Sequence, residues 1–162
     1  MNHLWTPWRL PYLQGDDPLP DDCLFCTKPE EPDKSAHIVH RGECCYVILN
    51  RFPYNNGHVM VVPYAHIASL EDLNTATSAE LMALTQLTMK VLREAYNPEG
   101  FNVGANIGAA AGAGIDDHVH VHVVPRWAGD TNFMTTVGRT RVIPEWMDEM
   151  YGRLRPIFER LG

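Results

Sequence analysis

Positive charge is scarce in this sequence and never gathered into a run. Thirteen Lys and Arg stand against 20 Asp and Glu, a formal net charge of −7. The chain therefore lacks the basic footprint that a nucleic acid polymer or an anionic membrane surface demands, and neither is expected as a partner. A few local donors still suffice for a small phosphate ligand. Long apolar runs are missing too. The longest small and apolar stretch, 105–115, is too short and too rich in glycine to cross a bilayer. Residues 1–12 carry aromatics and prolines where an export signal would have a basic flank and an apolar centre, so the cytoplasm is the expected compartment. Cysteine is sparse, with four copies. Cys23 and Cys26 form a C-x-x-C, which in a cytoplasmic protein points to a metal knuckle or a redox site more than to a structural bridge. Cys44 and Cys45 read as small residues of a strand.

What is present suits one globular domain spanning 1–162. The hydrophobic fraction of 45% in 162 residues can bury a core without staples, and no repeat or domain-scale linker interrupts the chain. Residues 1–22, with Trp5, Trp8 and Tyr12, read as an extended arm. Strand candidates follow at 37–41 and 44–49, joined by a turn at Gly42 and Glu43, and at 58–63, entered through turn formers at 53–57. Residues 77–96 predict the clearest helix, opened by a capping box of Thr77 and Glu80 and striped by Leu81, Leu84, Thr88, Val91 and Ala95. Two more strands are expected at 101–107 and 118–124. A last stripe over 143–161 holds Gly152 and Pro156, which predicts a kink or two shorter helices. The fold class is α+β: an antiparallel sheet of about five strands with one long helix packed on it, plus a C-terminal helical segment.

The chemistry concentrates in His118-Val119-His120-Val121-His122-Val123-Val124, where imidazole and valine alternate strictly. In a strand this sets three histidines on one face at roughly 7 Å steps, with the valines fixing the register on the other. Such a row could be a solvated sheet face, a metal site using all three rings, or a catalytic device acting on phosphate. Neutral imidazole is nucleophilic near pH 7, and neighbours set its protonation around an unperturbed pKa of about 6.5. Just upstream, Gly108, Gly112 and Gly114 offer backbone amides that small side chains leave approachable, a cradle for an oxyanion.

The run 118–124 resembles the His-φ-His-φ-His-φ-φ signature of the histidine-triad family (φ, apolar). The Cys23-Leu24-Phe25-Cys26 segment and the stretch 57–66 resemble it too, and the likeness covers roughly residues 4–135. Within the family, residues 4–9, 50–58 and 125–133 are most similar to the bacterial diadenosine tetraphosphate phosphorylases. The resemblance implies a covalent nucleotidyl-histidine on His120, with His122 hydrogen-bonding the phosphates, His58 supporting the triad, and phosphate or water as acceptor. It implies that Asn50 meets the ribose hydroxyls and that Asn106 lies near the phosphates, beside the loop glycines Gly112 and Gly114. It further implies structural Zn2+ held by Cys23, Cys26, His66 and His118, and a homodimer. Trp127 reads as a group that stacks on a base or packs against a second subunit, and Arg126 as a contact to a distal phosphate or a surface charge. Where related branches carry Gln-Ser or Gln-Thr, this chain has Gly114-Ile115-Asp116-Asp117, which leaves the leaving-group acid unassigned. Asp116 and Asp117 read as solvent-facing or histidine-orienting groups. The expected substrate is a small nucleotide of the dinucleoside polyphosphate type. The alternatives are a phosphoramidate or adenylylsulfate hydrolase of the same family, a hydrolase using the triad as zinc ligands, and a non-catalytic nucleotide-binding regulator.

Overall fold

The computed structural model describes residues 23–130 and 145–162. The expected N-terminal arm, and Ile143 at the start of the last stripe, lie outside the described residues. Two short helices, α1 (Leu24–Thr27) and α2 (Asp33–Ala36), lead into β1 (Ile38–Arg41) and β2 (Cys45–Leu49). Next come β3 (Val59–Pro63), the long helix α3 (Thr75–Tyr96), β4 (Gly100–Gly104), β5 (Val121–Arg126) and α4 (Met147–Leu161). The strands form one sheet in the order β1-β2-β3-β5-β4, and every neighbouring pair is antiparallel.

Alternation along the strands assigns the two faces of this sheet. Val39, Val47, Val59, Val61 and Val123 turn toward α3 and α4 and are fully buried with Leu92, Met150, Leu154 and Phe158. Ile38, Tyr46, Ile48, Met60 and Val62 turn the other way and pack with Phe25 and Ala36 from the opening helices. The α-helical layer thus covers one face, and the candidate chemistry occupies the other.

The structure corrects several boundaries. Helix α3 starts at Thr75, and its cap is Asn74, whose side chain accepts the Thr77 N–H at 2.9 Å. Glu80 takes no part in a capping box. Its carboxylate accepts the Glu43 and Cys44 N–H groups at 2.7 and 2.6 Å and fills the space where a Cβ on Gly42 would sit. It clamps the β1–β2 turn to the helix. Residue 37 is not in β1; His37 ends α2 in the left-handed region at φ 57°. β4 is shorter than expected, and β5 begins only at Val121, so His118 and His120 lie ahead of the paired ladder. Helix α4 runs unbroken through Gly152 and Pro156. The interior proline costs about 3 kcal/mol, but α4 buries Met150, Leu154 and Phe158 completely, each contributing about 1.5–3 kcal/mol.

Asp33 joins distant parts of the molecule. One carboxylate oxygen accepts from Arg41 of β1 at 2.7 Å and the other from Arg155 of α4 at 2.8 Å.

Candidate active site and metal centre

The loop from Asn50 to His58 brings two distant segments together. Gly57 takes φ 74°, and a Cβ there would come within 3.0–3.1 Å of Tyr96 and Leu92. Only glycine fits that turn closely against α3. Asn55 anchors the loop, its Nδ2 donating to the Pro125 carbonyl at 3.0 Å and to Asp130 at 2.8 Å. His58 consequently enters β3 fully buried, with its ring beside His122.

Hydrogen bonds around these rings fix where their protons lie. The Tyr54 N–H donates to His58 Nδ1 at 3.0 Å, so neutral His58 carries its proton on Nε2. That atom lies 3.0 Å from His122 Nδ1, which accepts. Neutral His122 therefore carries its proton on Nε2. The Asn50 Nδ2 lies farther from His58 Nε2, at 3.3 Å, and 3.5 Å from the Met60 sulfur, while its Oδ1 accepts the Phe52 N–H at 2.9 Å. The Tyr54 ring stacks on His58 at 4.7 Å.

His120 is set differently. Its Nδ1 lies 2.9 Å from the His118 carbonyl, and a carbonyl only accepts, so Nδ1 holds the proton and Nε2 a lone pair. Burial pushes its pKa below the ordinary imidazole value, outweighing the opposite pull of that carbonyl. The ring is thus neutral and held in the tautomer of a nucleophile. It is 5% exposed and faces a cavity of about 470 Å³, within the range of small-molecule sites. Asn50, Asn106, Gly112, Gly114 and His122 line the same cavity. The Gly112 N–H closes a tight turn on the Ala109 carbonyl at 3.0 Å, so this amide points back into its own loop.

The cavity also has walls that were not singled out in the sequence: Leu24, Phe25, Lys28, Ser35, His37, Arg51, Tyr54 and Met147. They come from four stretches of chain, and only the fold joins them. Trp127 stands half-buried just past β5, its backbone N–H 3.4 Å from Asp130 Oδ2, and is not among the cavity residues. Arg126 is committed elsewhere, with two nitrogens on Asp130 and a third on Asn102. The Arg126 guanidinium holds the Asp130 carboxyl well below the usual carboxylate range.

On the other side of His120, four side chains converge. Cys23, Cys26, His66 and His118 each offer one ligand atom, and these atoms all lie within 4.8 Å of one another. Cys23 Sγ is 3.3 Å from His118 Nδ1, and Cys26 Sγ is 3.6 Å from the same atom and 3.3 Å from His66 Nδ1. Tetrahedral zinc with two sulfur and two nitrogen ligands has ligand–ligand edges of roughly 3.3–3.8 Å. His118 Nε2 donates to the Pro63 carbonyl at 2.9 Å, which leaves the Nδ1 lone pair facing the thiols, the orientation a metal ligand needs. Asp117 lies 3.8 Å from His66 Nε2, on the side away from the sulfurs. All four cysteines are free. Cys45 is buried, with its thiol pKa pushed up to about 12 by that burial, an inert side chain packed under α3.

The fold matches one known family. The HIT domain profile matches residues 31–129, well over half of the chain. The chain belongs to the HIT family. Among HIT relatives, the "AP-4-A phosphorylase" of Mycobacterium tuberculosis is 45% identical over 153 residues, which is 90% of this chain and 78% of the relative. "Adenylylsulfatase HINT3" of Arabidopsis thaliana is 29% identical, over 70% of this chain and 59% of the relative. Among solved structures, a Zn-bound histidine triad family protein from Mycobacterium smegmatis superposes with a TM-score of 0.69 at 30% identity, covering 86% of this chain and 95% of that one. The antiparallel five-stranded sheet is the HIT arrangement, as the sequence led us to expect.

Proposed function

We propose that this HIT protein cleaves dinucleoside polyphosphates such as diadenosine tetraphosphate through a covalent nucleotidyl-histidine on His120. The observation that carries the reading is the His120 ring, neutral, with Nδ1–H spent on the His118 carbonyl and its Nε2 lone pair available to a nucleotide-sized cavity. In the first step the Nε2–phosphorus bond forms at the α-phosphate as the bridging phosphorus–oxygen bond breaks, and the electron pair leaves with the nucleoside polyphosphate. Inorganic phosphate or water then attacks the same phosphorus and the Nε2–phosphorus bond breaks. His122, with its Nε2–H set by the contact with His58, hydrogen-bonds the phosphate oxygens as charge grows on them. Asn50 and Asn106 bind the ribose and the phosphates, Gly112 and Gly114 let the phosphates approach the backbone, and Trp127 acts at a base or a subunit contact. The similarity to the mycobacterial AP-4-A phosphorylase over most of both chains supports phosphate as acceptor.

Cys23, Cys26, His66 and His118 would hold structural zinc. When bound, the ion supplies a closed tetrahedral cross-link with no open position for substrate. Residues 1–162 act as one domain, working as a homodimer in the cytoplasm. The sheet ends on β4, where Val103 is 46% exposed, a suitable edge for a second copy. Among the described residues no helix is long and apolar enough to cross a membrane.

The deciding experiment incubates the protein with labelled diadenosine tetraphosphate with and without phosphate. ADP plus ATP formed only with phosphate marks a phosphorylase, and AMP plus ATP in either case marks a hydrolase. Tight stoichiometric binding without turnover of the tetraphosphate, a phosphoramidate or adenylylsulfate would leave a regulator instead.

A further inference from the structure

The C-x-x-C does more than bracket two spacer residues. Leu24 and Phe25, the residues between the cysteines, both line the nucleotide cavity. Phe25 is 2% exposed, its ring edge-on to His118 at 5.5 Å between centroids and tilted against His120 at 4.8 Å. It therefore touches one residue of the metal cluster and the nucleophile at once. The helix that carries it has four residues and no side-chain cap, far too short to hold its own shape. Beyond the packing of the Phe25 ring in the second apolar cluster, the segment is held by the Tyr46 hydroxyl, which donates to the Phe25 carbonyl at 2.8 Å, and by the two thiols gathered on His66 and His118.

We propose that the metal knuckle is the positioning element of the nucleotide pocket, and that metal and nucleotide bind with positive, reciprocal coupling transmitted by Phe25. This rests on the nucleotide-site reading above. An ion on Cys23 and Cys26 pins both ends of the Leu24-Phe25 segment, so Phe25 is held as cavity wall and as backing for the His120 ring. Without the ion, a nucleotide must order that segment itself and binds more weakly. Linkage then requires AMP to strengthen metal retention by the same factor by which the metal strengthens AMP binding.

The test uses the full chain, Zn2+ and AMP, which has no anhydride bond to cleave. AMP affinity is measured by calorimetry on zinc-loaded and zinc-stripped protein, with circular dichroism reporting the fold. Zinc affinity is measured against a competing chromogenic chelator with and without saturating AMP. Both ratios are expected near tenfold, within the usual range for coupled sites. Phe25→Ala should keep stoichiometric zinc but lose the AMP dependence of zinc affinity, and Phe25→Leu should restore part of it. Equal AMP affinity with and without zinc in folded protein overturns the coupling alone. No AMP binding to zinc-loaded protein overturns the nucleotide reading and the coupling with it. If stripping unfolds the chain, the Phe25→Ala comparison still decides: AMP-dependent zinc affinity that persists in this variant assigns the effect to global stability and overturns the proposal.

Discussion

The two ends of the histidine run make opposite uses of the same side chain. At one end His118 donates its Nε2–H to the Pro63 carbonyl and turns Nδ1 toward two cysteine sulfurs. At the other, His122 receives a hydrogen bond on Nδ1 from His58 and keeps a proton on Nε2. Between them, His120 is locked by a carbonyl with its Nε2 lone pair toward the cavity. In the proposed reading, three identical residues at alternate positions become a metal ligand, a nucleophile and a donor. One backbone or side-chain contact decides each role by fixing the tautomer.

Variants along the run should separate these roles, and equal losses at all positions would dissolve the comparison. His120→Ala should reduce turnover of diadenosine tetraphosphate by roughly four orders of magnitude or more, and no acid-labile adduct should form. A residual adduct in that variant would move the nucleophile elsewhere. His122→Ala should lower kcat by about 10²–10³-fold with little change in KM, as expected for a donor that acts mainly on the transition state. A pure rise in KM would make it a binding residue. Cys26→Ser removes one ligand at the opposite end. Zinc content measured by atomic absorption should fall below one per chain, and KM should rise about tenfold while kcat changes less than in His122→Ala. An immediate loss of all turnover on chelation, with the fold intact, would instead place the metal in the chemistry.

The smallest effect concerns the anchor of the loop that carries His58. Asp130 holds Asn55 and Arg126, and its carboxyl pKa lies below the ordinary value. A depressed carboxyl pKa adds stability above the unfolded-state value of about 3.9, and that stability is lost as pH falls through the folded value. Asp130→Asn should therefore cost about 1 kcal/mol in urea unfolding at pH 7, a modest figure because Arg126 is partly exposed. The gap between the two proteins should close as pH drops below about 3.9. A gap that is constant with pH would mean that the amide loses only geometry.

Much of this was legible in the sequence because alternation and short spacing are local signals. The His118–His122 row, the C-x-x-C and the long helix follow from patterns within a few residues, and the convergence of His66 with the cysteines followed from family resemblance. Competing partners defeated the rest. Thr77 and Glu80 match a capping box, yet Asn74 lies one turn earlier and Glu80 finds better donors in the β1–β2 turn. Pro156 signals a break that tertiary burial overrides. Lys28, Ser35 and His37 carry no motif, since a cavity wall assembled from distant segments leaves no periodic trace. Phe25 lay inside a recognised motif, but only its neighbours in space reveal what it touches.

Asp33 has a consequence for how this pocket could change over time. The segment that supplies Ser35 and Ala36 to the cavity is fastened to β1 and α4 through that carboxylate. Substitutions among Asp33, Arg41 and Arg155 would shift one wall while leaving the bond-breaking apparatus untouched. Ligand preference in this lineage can therefore drift through charges at the periphery, and descendants with new specificities need not rebuild their reactive centre.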